Sequence, residues 1–133
     1  MKVLICDFPQ MSCRPIATPN GQADLTPAWS PDGRFITFAR GTPPALVNGD
    51  NFEVVAGFQE SLSLWIARAD GNGQERLNAP GGSYPTWSDD GRQIYFVHGG
   101  KRWIHDLYSD ANIDTGVTIP GALGRGWITY STA

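Results

Sequence analysis

The sequence predicts an all-β protein built from repeated four-stranded antiparallel units. Composition gives the first sign. Across 133 residues Gly (16), Pro (10) and Trp (5) are abundant, and hydrophobic content is ordinary at 41%. That mix suits short strands joined by tight turns. The second sign is that no window of a dozen residues keeps a clean 3.6-residue apolar period without a breaker, so helix is minor. The third is a repeat. "PAWSPDGRFITFARG" (27–41) and "PTWSDDGRQIYFVHG" (85–99) share nine of 15 positions, and internal repetition of this kind decides the fold.

Taken in order, residues 3–8 read as a strand, paired as a hairpin with 13–18 around a tip at "PQ". Cys6 then faces Cys13. A cross-strand bridge is possible there, but direct cross-strand bridges are strained, so two free thiols are expected. In the first repeat, Trp29 lies in a short strand at 28–30. Ser30-Pro31-Asp32-Gly33 forms a type I turn, with Pro presetting φ and Gly33 taking the left-handed conformation. An aromatic, β-branched strand comes next at 35–39. The second repeat places Trp87, Asp90 and Gly91 in the same roles and keeps the turn chemistry without the Pro.

The segment after each hairpin also repeats. "SLWIARADGNGQERLNAP" (63–80) is a strand, an Asp-Gly-Asn-Gly turn and a strand ending at Leu77. "RWIHDLYSDANIDTGVTIPG" (102–121) is a looser version, with Asp114-Thr115-Gly116 as turn residues. The start of the chain is a third version, in which Ile5, Ile16 and Pro19 fall on Ile66, Leu77 and Pro80. "GRGWITYS" (124–131) resembles the opening of another Trp strand, at Trp127. With strands lettered by position in the unit, the order is C-D (1–19), A-B-C-D (26–80), A-B-C-D (84–121) and A, with B beginning (124–133). Antiparallel four-stranded units of about 40 residues are β-propeller blades.

These stretches resemble the WD40-like β-propeller repeat (PD40) of the TolB family, Pro-x-Trp-Ser-Pro-Asp-Gly, an aromatic strand, then "LW-I-ADG-G" and a strand ending in Leu. The likeness is strong in 27–41 and 61–99 and weak in 1–19 and 102–131. Asp89 stands where the motif has Pro, and the third Trp strand lacks the turn motif. The resemblance implies a propeller, commonly of six or so blades, that serves as a binding scaffold. It also implies a periplasmic setting, although the chain shows no targeting signal: the apolar stretch of "MKVLIC" is shorter than the 7–15 residues a signal needs. Compartment therefore stays open between periplasm and cytoplasm.

Two full blades and a partial one do not close a ring. The chain is either a piece of a longer one or half of a strand-sharing homodimer, in which the terminal strands of one copy complete the first blade of the next.

Composition narrows the partners. A net charge of −3 and no Lys/Arg run leave no footprint for nucleic acid. No apolar run approaches 18 residues, so no helical membrane span is expected. No G-x-S-x-G is present, Ser30 and Ser88 are turn residues, and no catalytic residue is assigned. Two histidines without a third ligand of suitable spacing make no zinc site. "NGDNFE" lacks the spacing of a Ca²⁺ loop and "RADGNGQ" is explained as a hairpin turn, so no metal or cofactor is expected.

The function expected is non-enzymatic recognition of protein or peptide through the rim carrying the B-C and D-A loops. The one large insertion, 41–61, lies on that rim. Its Asp50, Phe52 and Glu53 are candidate contacts. Arg40, His98 and Arg102 read either as rim residues in solvent or as a small polar cluster nearby, facing a polar or anionic partner. Two other classes remain: the propeller part of a hydrolase or polysaccharide lyase, and a structural self-assembling propeller fragment.

Overall fold

The computed structural model describes residues 2–43, 58 and 61–119. Among these residues ten strands form three antiparallel sheets, each a simple meander. The first sheet, blade 1, pairs β1 (Leu4–Asp7) with β2 (Ser12–Pro15). The second, blade 2, runs β3 (Ala23–Trp29), β4 (Phe35–Gly41), β5 (Ser63–Arg68) and β6 (Glu75–Arg76) in that order. The third, blade 3, runs β7 (Ser83–Trp87), β8 (Gln93–His98), β9 (Lys101–Asp106) and β10 (Asn112–Thr118). The expected all-β architecture of antiparallel four-stranded blades is what the chain adopts.

Blades stack because side chains alternate across each strand. Ile36 and Phe38 of β4 face blade 1, where they close a core with Val3, Ile5, Ile16 and Ala67. Ala39 points the other way and joins Leu62, Leu64, Leu77, Ile94 and Phe96 between blades 2 and 3. The same offset that aligns the sequences aligns the bonds. The Ile16 amide donates to Val3 O at 2.9 Å and the Leu77 amide to Leu64 O at 2.9 Å, so β1–β2 is the counterpart of β5–β6.

The two doubled turns are superimposable in their hydrogen bonds. Ser30 Oγ donates to Asp32 Oδ1 at 2.7 Å, and Ser88 Oγ donates to Asp90 Oδ1 at 2.7 Å. Each carboxylate also accepts the amide two residues on, from Arg34 or Arg92, at 3.0 Å. Gly33 (φ 72°) and Gly91 (φ 70°) take the left-handed position that a Cβ would penalise. Exchange of Pro31 for Asp89 alters none of this, because the serine and aspartate side chains fix the turn.

The inner strands run longer than expected. β3 starts at Ala23 and β7 at Ser83, and each contains a proline, Pro27 or Pro85. A proline inside a run reads as a boundary because it cannot donate to a ladder. Here it is accommodated by a bulge, with register breaks between Leu25 and Ala28 and between Ser83 and Thr86. The residue before each proline, Thr26 (φ 50°) or Tyr84 (φ 54°), takes a left-handed conformation. The bulges meet, with the Tyr84 amide donating to Thr26 Oγ1 at 3.3 Å.

Blade 3 departs from expectation in its outer pair. Asp114-Thr115-Gly116 is a bulge inside β10, not the C-D turn. Asp106 makes that turn instead, its Oδ1 accepting the amides of Tyr108 (2.9 Å) and Ser109 (3.0 Å). These amides, Ser109 first, hold its carboxyl far below the usual range with help from Gln93 and Arg92, while burial acts in the other direction. A carboxyl lowered in the folded state stabilises above its unfolded pKa of about 3.9. That contribution is lost as pH falls from there through the folded value. Asp106→Asn keeps Oδ1 as an acceptor but removes the titration. The drop in urea midpoint between pH 7 and pH 3 should therefore shrink in Asp106→Asn; an unchanged drop would contradict the assignment.

The cysteines are bridged, contrary to the expectation of free thiols. Cys6 and Cys13 are register partners with a Cα–Cα distance of 4.0 Å, joined as a disulfide. The Ile16–Val3 bond puts them at a non-hydrogen-bonded pair, where opposing residues come closest.

Candidate functional site

Strand connections alternate between two rims. One rim carries the A-B and C-D turns and the other the B-C and D-A connections. Blade 3 closes its B-C connection with two residues, Gly99 and Gly100, between the register partners His98 and Lys101. Both have positive φ (58° and 75°), the geometry of a tight hairpin turn. In blade 2 the equivalent partners are Arg40 and Ser63. The insertion therefore replaces a two-residue turn. Its candidate contacts Asp50, Phe52 and Glu53 lie outside the described residues, as does Trp127.

The roots of the insertion border a cavity of about 380 Å³. Gln22, Thr42, Ser61, Ser63, Trp65 and Arg76 contribute to its walls, with Arg40 beneath. Several of these polar groups hold one another. The Trp65 indole donates to Ser63 Oγ at 3.0 Å, and Ser63 Oγ donates to Arg40 O at 3.1 Å.

Arg40 is not a solvent-facing contact, which corrects the sequence-based expectation. Its side chain is 3% exposed and pairs with Asp24, which is fully buried. Arg40 Nε donates to Asp24 Oδ1 at 2.6 Å and Nη2 donates to Oδ2 at 2.9 Å. A further bond from Nη2 reaches Ala17 O at 3.1 Å, and Thr18 Oγ1 donates to Asp24 Oδ2 at 2.7 Å. The guanidinium lies 4.6 Å from the Trp65 ring centre and 5.1 Å from that of Phe38. The buried carboxylate is thus met by three donors, and this arginine ties the connection after β2, at Ala17, to blade 2 itself.

His98 occupies the same place one blade on. Its Nδ1 contacts the Gly81 carbonyl, and its ring meets the Trp103 edge at 5.6 Å. Arg102 pairs with Val97, while His98 pairs with Lys101. Alternation therefore sends His98 and Arg102 to opposite faces of the sheet, and the Arg102 guanidinium sits 5.1 Å from the Tyr95 ring centre. The Arg40–His98–Arg102 cluster does not form. Sequence reading missed Asp24, the residue that decides Arg40's role. The signal was present: Asp24 faces Arg40 once strand A is extended through Pro27.

A larger cleft, about 750 Å³, opens on the opposite rim between blades 2 and 3. Trp87 and Leu77 line it, with Asp32, Asp90 and Asp110 at its edge. The first two aspartates are turn residues, each held below the usual carboxylate range first by its serine hydroxyl. Asp110 accepts from Asn78 at 3.1 Å and lies 3.4 Å from His105 Nε2. Among the described residues no group of three or more His, Cys, Asp or Glu is placed to hold a metal ion.

No family model matches the chain, and no curated protein matches it. Solved structures do. TolB from Acinetobacter baumannii is similar over 85% of this chain and 26% of its own, at 16% identity and a TM-score of 0.59. An oligogalacturonate lyase in complex with manganese is similar over 86% of this chain and 28% of its own, at 11% identity and a TM-score of 0.61. The β-propeller domain of the Trilobed protease from Pyrococcus furiosus, described as having an open velcro topology, matches over 85% of this chain and 33% of its own, at 20% identity and a TM-score of 0.54. The chain thus spans between about a quarter and a third of the chains it matches. At these identities the likeness establishes the fold: the sheets are blades of a β-propeller, and the chain is a partial propeller.

Proposed function

We propose that the chain is a non-enzymatic binding scaffold that recognises protein or peptide through its B-C and D-A rim. One observation carries the reading. Two blades of the same repeat make the same connection, and one uses two glycines while the other inserts a long segment whose roots, Gly41, Thr42 and Ser61, border a polar cavity. Blade 3 closes the same connection without such a segment, so most of it is surplus to the hairpin, although Phe58 near its end packs against the core between blades 2 and 3. The burial of Arg40 shifts the contact surface to the cavity walls, Gln22, Ser61, Ser63 and Arg76, and to the insertion with Asp50, Phe52 and Glu53. His98 and Arg102 have structural neighbours and are secondary candidates at most.

The test replaces residues 43–57 with Gly-Gly, leaving Gly41, Thr42 and the core-packed Phe58, together with Ser61 and Leu62, in place. Peptides selected from a displayed random library on the full chain should lose at least tenfold in affinity on the shortened one, with thermal stability retained. Equal binding by both chains would place recognition elsewhere. The enzyme readings are addressed by titrating Mn²⁺ calorimetrically and by assaying polygalacturonate cleavage, since one structural neighbour is a lyase bound to manganese. The self-assembly reading predicts no selected peptide at all.

A further inference from the structure

The turn between β5 and β6, Asp70-Gly71-Asn72-Gly73, contains chemistry that turn formation does not use. Asparagine before glycine is a labile pair, because glycine has no Cβ to keep its amide away from the asparagine side chain. The sequence holds three such pairs, Asn20-Gly21, Asn48-Gly49 and Asn72-Gly73. Asn48-Gly49 lies outside the described residues. The other two share the sequence Asn-Gly-Gln, and both are exposed. The aspartate-glycine pairs in the blade turns are held back from this chemistry. Gly33, Gly71 and Gly91 donate their amides to Ser30 O, Arg68 O and Ser88 O at 2.9, 2.8 and 2.9 Å. Gly21 and Gly73 differ: among the described residues their amides donate to no acceptor.

A cation separates Asn72 from Asn20. A Cβ built on Gly73 would stand 2.9 Å from Arg68 Nη1 and 3.1 Å from its Cζ. The guanidinium therefore packs directly on the residue whose amide must give up a proton. Arg68 forms no ion pair among the described residues, so its charge is not spent on a carboxylate there. A Cβ on Gly21 would meet nothing within 4 Å. A guanidinium beside Gly73 stabilises the negative charge that develops on the attacking nitrogen and then on the oxygen of the tetrahedral intermediate. The turn holds the asparagine in place meanwhile. Its amide donates to Asp70 Oδ1 at 2.9 Å, and its carbonyl accepts the Arg68 amide at 2.9 Å.

We propose that Asn72 is a site of spontaneous deamidation, accelerated by the guanidinium of Arg68. The Gly73 nitrogen attacks Asn72 Cγ and loses its proton. The Cγ–Nδ2 bond breaks, and Nδ2 leaves as ammonia carrying a proton in exchange. Water then opens the succinimide at either carbonyl, giving an aspartyl or an isoaspartyl linkage. No oxidant or reductant takes part. The product carries one more negative charge, which takes the net from −3 to −4. The isoaspartyl form also adds a methylene to the main chain shortly before Gln74, whose Nε2 donates to Ala17 O at 3.0 Å. That bond ties blade 1 to this turn, and Ile5 and Ile16 pack beside Gly71. Modification thus lengthens the turn on which blade 1 rests. This inference is independent of the peptide-binding proposal.

Ageing the full chain in mildly alkaline buffer, followed by peptide mass spectrometry, tests it. Trypsin releases Asn72 in the peptide 69–76, where loss of the amide is read as the mass gain of an amide-to-acid exchange. In the folded chain Asn72 should deamidate roughly fivefold faster than Asn20, and Arg68→Gln should remove the difference. In that variant fragmentation of the peptide 41–76 localises the change. In urea the two sites should react at the same rate, since each is then only Asn-Gly-Gln. An Asn72 no faster than Asn20 in the folded chain overturns the proposal. So does an unchanged Asn72 rate in an Arg68→Gln chain with a native far-ultraviolet spectrum. A preference for Asn72 that persists in urea overturns it too, because the cause would then lie in the sequence and not in the turn.

Discussion

Asp24→Asn is expected to cost about 3–5 kcal/mol of stability, read as a lowered urea midpoint by tryptophan fluorescence. The substitution keeps shape and one acceptor but removes the charge opposite a guanidinium that is 3% exposed. Arg40 would then be a buried cation with no counter-ion, and three of its contacts would remain: Ala17 O and the rings of Phe38 and Trp65. Those contacts do not replace a bidentate carboxylate. Replacing both partners, Asp24→Leu with Arg40→Met, removes the charge and the desolvation together. The double variant should recover most of the loss, because buried ion pairs are often neutral or unfavourable against apolar residues of similar volume. A loss under about 1 kcal/mol for Asp24→Asn would mean that the pair is hydrated in solution. The weakened link joins Ala17 to β3 and β4, so blade 1 should loosen first.

Phe96→Ala should be comparably severe, at about 3–5 kcal/mol. Phe96 is 1% exposed in the core between blades 2 and 3, with its ring centre 6.4 Å from that of Trp103. The surroundings cannot collapse into the space. A Cβ on Gly82 would stand 2.8 Å from the Phe96 ring and 2.5 Å from Val97 O, so backbone already presses against the ring from one side. Rigid walls leave a cavity, and the cavity adds its cost to the lost transfer energy. Phe35→Ala is the control. It carries the same side chain at the edge of β4, 36% exposed, and should cost under about 1 kcal/mol. Equal losses at the two sites would show that stacking between blades is not what holds the chain together.

Much of the fold was legible because its causes are local. The Ser-x-Asp-Gly turns, the aromatic strands and the Asp-Gly-Asn-Gly hairpin are each set by a few adjacent residues, and the repeat showed that one solution was used twice. The register of Cys6 with Cys13 also came from counting. Errors arose where a local rule met a non-local remedy. Pro27 and Pro85 have the chemistry of strand ends, yet each lies in an inner strand that bulges around it. Asp114-Thr115-Gly116 had turn chemistry, but the turn formed at Asp106, where a carboxylate could accept two amides at once.

The candidate site was legible in place and not in membership. Counting alone put the insertion on the rim opposite the A-B turns. Which polar residues face that rim depends on what each strand packs against, and no stretch of sequence contains that information. Arg40 and His98 share a repeat position, but one buries against an aspartate and the other against a carbonyl, because Asp24 has no equivalent in blade 3, where Gly82 stands. Trp29 and Trp87 share a motif, but among the described residues only Trp87 has a neighbouring inner strand to donate to. By itself the sequence determined the A-B turns, the aromatic strands and the blade they make, since those rest on interactions a few residues apart. The tertiary structure alone decided which charges are buried, which indole is satisfied and whether two thiols join, since each rests on a partner brought from another strand or another blade.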